Sequence, residues 1–184
     1  HSPDGVVTAP VSHVDITFDD EIDPVSMTEA TMTLTAPSGV IGGPFAAAED
    51  LGGAVYRIGF DPIYENGPYN LTLSTGVMDV AGNPLAGEYD ATFEQKLANL
   101  TTFDLSAAQS QSPGEDIAVE WKVRNNGDSV AAGFADAVFA SSDAVLDDGD
   151  LLLGSLAGET LAPGEEYARS LSVTLPMVDW TSYI

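Results

Sequence analysis

The chain has no cysteine, which removes disulfide staples, thiol nucleophiles and zinc–thiolate centres together. Basic side chains are scarce too: 5 Lys and Arg stand against 29 Asp and Glu, a formal net charge of −24. A surface so acidic repels phosphate backbones and anionic headgroups, so neither nucleic acid nor a polybasic membrane contact is expected. No apolar run approaches the length of a spanning helix, and direct membrane insertion is not expected. The opening residues His1–Val7 lack the charged and apolar regions of an export signal, which is expected to lie outside this stretch. Histidine is limited to His1, at the terminus, and His13, read as lying just ahead of a strand on its exposed face. A Ser-His-Asp triad would have to recruit one of these, and no G-x-S-x-G elbow or phosphate-binding glycine loop is present. Paired carboxylates carry no signal where acids are everywhere, so catalysis is not expected.

What is present is alternation. Hydrophobic residues make up 44% of the chain, enough for a real core, and they recur with period two. Val14, Ile16 and Phe18 share one phase, as do Met32 and Leu34, then Tyr56, Ile58 and Phe60, then Tyr69, Leu71 and Leu73, then Tyr89, Ala91 and Phe93. Turn formers separate these runs at Pro37-Ser38-Gly39, Gly42-Gly43-Pro44, Asn66-Gly67-Pro68 and Gly82-Asn83-Pro84. A second series follows: Phe103-Asp104-Leu105, then Ile117, Val119, Trp121 and Val123, then residues 135–140, Leu151–Leu153, and Leu171, Val173 and Leu175. The best helix candidate, Ser26–Ala30, is one turn at most. The fold class predicted is all-β, with two tandem immunoglobulin-like β-sandwich domains: residues 1–94, a linker over 95–100, and residues 101–184.

Among the aromatics, Trp121 reads as a core plug, and Tyr69 and Tyr167 as corner tyrosines tying a loop to the backbone. Trp180, Tyr183 and Tyr64 are the candidates for an exposed binding strip, with Trp180 and Tyr183 expected to be buried once the sandwich is complete. Asn70 and Asn99 head glycosylation sequons, of which Asn70 points outward by the alternation.

Calcium is the one cofactor that the composition favours. Asp143, Asp147, Asp148 and Asp150 surround Gly149, although the EF-hand spacing fails, and Asp19, Asp20 and Asp23 crowd the end of a strand with Glu21. These seven aspartates are the metal-ligand candidates. The bland alternative has them cap their own turns, with Asp23 capping the turn that Pro24 begins. Asp79 with Asn83 reads as an Asx turn, and Glu94, Asn99 and Asp104 flank the linker, where a cation would stiffen it.

Two stretches resemble known families. Val14–Pro24, Tyr69–Leu73 and above all Val77-Met78-Asp79-Val80-Ala81-Gly82-Asn83-Pro84-Leu85 resemble bacterial Ig-like modules over residues 1–94. Pro113-Gly114-Glu115, Val119–Gly127, Phe139–Asp143, Leu146–Leu152, Leu161–Glu165 and Val173–Pro176 resemble the cell-adhesion-related domain of bacteria, CARDB, over about residues 100–184. The resemblance implies a non-catalytic structural or adhesive module pair of a larger secreted or cell-surface protein: a spacer, adhesin stalk or filament building block. The alternative is a carbohydrate- or protein-binding accessory module of a secreted enzyme. Partners implied are other domains of the same polypeptide or neighbouring subunits, and surface glycans or proteins. The second family continues past its V-T-L-P strand, so a last strand is expected to be missing here, through fragmentation or donation by a partner. The first module is expected to have little room for a complete leading strand.

Overall fold

A computed structural model of the chain describes residues 1–41 and 44–177. The chain is all-β and divides into two compact units, one over His1–Leu97 and one beginning at Ala98. Among the described residues the single helical element is a 3₁₀ turn, Pro24–Ser26, capped by the Asp23 carboxylate accepting from the Val25 amide at 3.1 Å. It lies two residues ahead of the expected turn, because proline's fixed φ suits a first helical position.

The first unit places two sheets face to face. One runs β2 (Val11–Thr17), β6 (Val55–Ile63), β5 (Glu49–Gly52). The other runs β1 (Gly5–Val7), β8 (Tyr89–Gln95), β7 (Gly67–Leu73), β3 (Met32–Ala36), β4 (Gly39–Ile41). Alternation decides which side chains meet: Val14, Ile16, Tyr56 and Ile58 face Leu34, Leu71, Leu73, Ala91 and Phe93 across a closed core. Each such aliphatic side chain contributes about 1.5–3 kcal/mol of transfer free energy. Tyr69 is a corner tyrosine, its hydroxyl donating to the Glu65 carbonyl at 2.9 Å, and burial raises its phenol pKa. Tyr89 departs from the reading, being exposed with its hydroxyl beside His1 Nδ1 at 2.9 Å. The short strands β1, β4 and β5 were not legible in the alternation, since three or four residues give a period too little length. The leading strand is short: the three residues of β1 pair with β8, and Ser2 exchanges two backbone hydrogen bonds with Asp15 at 2.7 and 2.8 Å.

The second unit packs a sheet of β13 (Glu166–Thr174), β10 (Asp116–Asn125), β9 (Leu100–Ala107) against a two-stranded sheet of β11 (Ala135–Ala140) and β12 (Leu151–Ala157). Strand β10 alternates without a break, burying Ile117, Val119, Trp121, Val123 and Asn125. A bulge opposite Trp121 places Asp104 at φ 52° and offsets the register of β9. Strand β12 runs four residues beyond the expected Leu151–Leu153.

The expected linker shrinks at both ends. Gln95 closes β8 and is fully buried, and Leu100 opens β9, which leaves residues 96–99 between the strands. The alternation Ala91, Phe93, Gln95 simply continues with a polar residue. Trp180, Tyr183 and the expected absence of a last strand concern residues 178–184, outside the described residues.

Candidate functional site

Three places in the molecule gather chemistry: the pairing of the first and last strands of the first unit, the acidic loops, and a groove in the second unit.

In the first unit β1 lies parallel to β8, with Gly5 opposite Phe93, Val6 opposite Glu94 and Val7 opposite Gln95. The Lys96 amide extends the ladder to the Val7 carbonyl at 2.8 Å. Gln95 locks the end of β8 from inside. Its amide nitrogen donates to the carbonyls of Ile63 at 2.9 Å and Glu65 at 3.1 Å, and its oxygen accepts from the Val11 amide at 3.1 Å. Asn66 then holds the outgoing chain, its Oδ1 accepting from the Leu97 amide at 2.7 Å. In the second unit Asn125, also fully buried, plays the matching part. Its Oδ1 accepts from the amides of Asn99 and Gly127, and its Nδ2 donates to the carbonyls of Ser129 and Leu161. Neither Gln95 nor Asn125 stood out in the sequence as a site residue. The signal was there, a polar amide on the apolar phase of a strand.

The acidic candidates are spread out. Asp143 accepts from the Val145 amide at 2.8 Å, Asp147 from Gly149 at 2.7 Å, and Asp150 from Asp147 at 2.7 Å. Asp148 is exposed in the same loop. In the first unit Asp20 accepts from the Glu21 amide at 2.8 Å, and Asp23 caps the 3₁₀ turn. Asp19 and Asp20 share a shallow hollow of about 480 Å³ with Asp79 and Asn83. Asp79 is engaged by the Asn83 side chain at 2.8 Å and by the amides of Asn83 and Ala81, and this bonding lowers its pKa. Among the described residues no three acidic or histidine side chains converge as metal ligands would. Of the linker carboxylates, Glu94 pairs with Lys96 at 3.2 Å and Asp104 with Lys122 at 2.9 Å, each within its own unit.

His13 lies within β2 and is half-buried, rather than ahead of the strand on its open face. Asn70 lies on the phase opposite the buried Tyr69, Leu71 and Leu73, as the alternation predicts, and its side-chain amide donates to Asp90 at 2.9 Å. Tyr167 is not a corner tyrosine. Its hydroxyl crosses to Asp136 Oδ2 at 2.7 Å, the same oxygen that accepts from Trp121 Nε1 at 3.2 Å. Burial first, and the Asp136 bond second, hold its phenol pKa well above the usual value. Asp136 belongs to the inward phase of β11, which it shares with Val138 and Ala140.

The groove is a concavity of about 670 Å³ and lies wholly within the second unit. Its floor comes from β9 and β10, through Leu105, Val119, Trp121 and Val123, and one wall is β11. Among the described residues, Asp136, Asp143 and Asp150 are its charged residues and no Lys or Arg lines it. Apolar side chains stay open to solvent here: Leu105 is 54% exposed, and Val145 and Leu146 stand out further still. Sequence reasoning did not find this site, because it arises where three separate strands and the loop after β11 come together. No protein-family model matches the chain, and comparison with curated proteins finds no match either.

Proposed function

We propose that this chain is a non-catalytic structural module pair, a load-bearing segment of a larger secreted or cell-surface protein such as an adhesin stalk or filament. In this reading the first unit is an immunoglobulin-like module and the second a relative of the CARDB adhesion domain. One observation carries the proposal: the parallel pairing of β1 with β8, the first and last strands of the first unit. The chain enters that unit at the start of one strand and leaves at the end of the other. Parallel neighbours start at the same end of the sheet, so tension drawn through the two termini slides β1 along β8. All the hydrogen bonds between them are then loaded at once, whereas an antiparallel terminal pair would peel one bond at a time. Gln95 and Asn66 brace the strand where the load leaves.

Forced unfolding reports the unfolding barrier directly. Stretching the chain from its two ends is expected to give a distinct high-force event for the first unit. Val7→Pro, which breaks the β1–β8 ladder, is expected to lower that force far more than it lowers the melting temperature. An unchanged force in the variant would show that the terminal strands bear no load.

A further inference from the structure

We infer that the segment joining the two units is not a loose tether: each unit takes up the backbone on its own side, and a single residue, Ala98, stays unheld. This follows from hydrogen bonds inside each unit and stands apart from the load-bearing reading of the first.

Residues 96–99 belong to no strand, and backbone groups in such a stretch ordinarily go to water. On the side of the first unit they do not. The Lys96 amide donates to the Val7 carbonyl at 2.8 Å, one residue past the end of β8. Leu97 is held by one side chain at both its polar groups. Its amide donates to Asn66 Oδ1 at 2.7 Å, and its carbonyl accepts from Asn66 Nδ2 at 3.3 Å. An asparagine side chain carries the donor and acceptor of a peptide group, so Asn66 stands in here for a neighbouring strand.

The second unit does the same to Asn99 with different residues. The Asn99 amide donates to Oδ1 of the buried Asn125 at 3.1 Å, and its carbonyl accepts from the Asn126 amide at 2.7 Å. Asn125 is itself anchored, since its Nδ2 donates to the carbonyls of Ser129 at 2.7 Å and Leu161 at 3.1 Å. Swinging that side chain away from Asn99 would leave polar atoms unpaired in a core.

Ala98 is the exception. It is exposed, and among the described residues neither its amide nor its carbonyl takes part in a hydrogen bond. Its φ and ψ, with the ψ of Leu97 and the φ of Asn99, are the soft torsions that remain. A solvated tether would open every one of its amides to exchange and offer a protease a continuous extended backbone. A connector held at Lys96, Leu97 and Asn99 opens one amide. A protease cleft engages several consecutive residues, so those bonds must break before it can cut.

The test uses the full chain labelled with ¹⁵N. Corrected for intrinsic rates, amide exchange at Lys96, Leu97 and Asn99 is expected to be about tenfold slower than at Ala98. Asn66→Ala should bring Leu97 to the rate of Ala98 and leave Asn99, which the other unit holds, as slow as before. Asn66→Asp keeps Oδ1 and should keep the Leu97 amide slow; amides of β8 report whether the first unit stays folded in either variant. A protease of broad specificity should leave residues 96–99 of the wild type uncut, and should cut a variant with Gly-Ser-Gly inserted after Ala98. Equal exchange at all positions of the wild-type connector, a protected Ala98, or a Leu97 amide that stays slow in Asn66→Ala would each overturn the inference. Cleavage of the wild-type connector at the rate of the insertion variant would overturn it as well, and needs no substitution to be read.

Discussion

Two side-chain amides, Gln95 and Asn125, close the last turn of chain in the first unit and the first turn in the second. Each is fully buried with its oxygen and nitrogen both engaged, so each satisfies backbone groups that would otherwise be orphaned in a core. Gln95→Leu keeps the volume and strands the Val11 amide and the carbonyls of Ile63 and Glu65. It is expected to destabilise the first unit by about 1–3 kcal/mol in urea unfolding, although leucine is the more apolar residue. At the surface, Asp15 receives both donors of Arg57, at 2.8 and 2.9 Å, and that hydrogen bonding holds its carboxyl below the usual aspartate value of 3.8. A carboxylate lowered on folding contributes stability above its unfolded pKa and loses it as the pH falls through the folded one. The first unit is therefore expected to weaken below about pH 4, and Asp15→Asn should flatten part of that acid limb. Its cost at neutral pH should stay under about 1 kcal/mol, since the pair is partly solvated. The Asp15–Arg57 pair was invisible in the sequence because 42 residues separate partners that only strand register brings together.

Element by element, legibility followed length. Strands β3, β7 and β10 repeat their period often enough to declare which face is buried, and each buries that face. Strands β1, β4 and β5 are three or four residues long and exist because a neighbour offers a ladder. Asp136, a carboxylate on the inward phase of β11, takes its partners from two other strands, accepting hydrogen bonds from Trp121 and Tyr167. Close approach of elements also constrains residues with no periodic signature. A Cβ on Gly158 would fall 2.2 Å from the Phe134 ring, which lines the groove. Gly158→Ala is expected to lower the stability of the second unit by about 1–3 kcal/mol through overpacking. Combining it with Phe134→Leu should recover part of the loss, and a double-mutant cycle on thermal melts would measure the coupling.

For the whole molecule, each of the two compact units has its own apolar cluster, built from its own strands. Leu71 lies at the centre of the first, and Leu71→Ala is expected to cost about 2–5 kcal/mol. If the clusters are energetically independent, that loss moves only one of two calorimetric transitions; a single shared transition that moves as a whole would show them coupled. The sequence by itself determined the all-β class, the buried faces of β3, β7 and β10 and the sign of the net charge, because period and net charge are properties of the chain read in order. Tertiary structure alone decided the parallel closure of β1 on β8, the hydrogen-bond partners of Gln95, Asn125 and Asp136, and the groove above β9. Each of these depends on which distant strands become neighbours, and a one-dimensional pattern does not encode that choice.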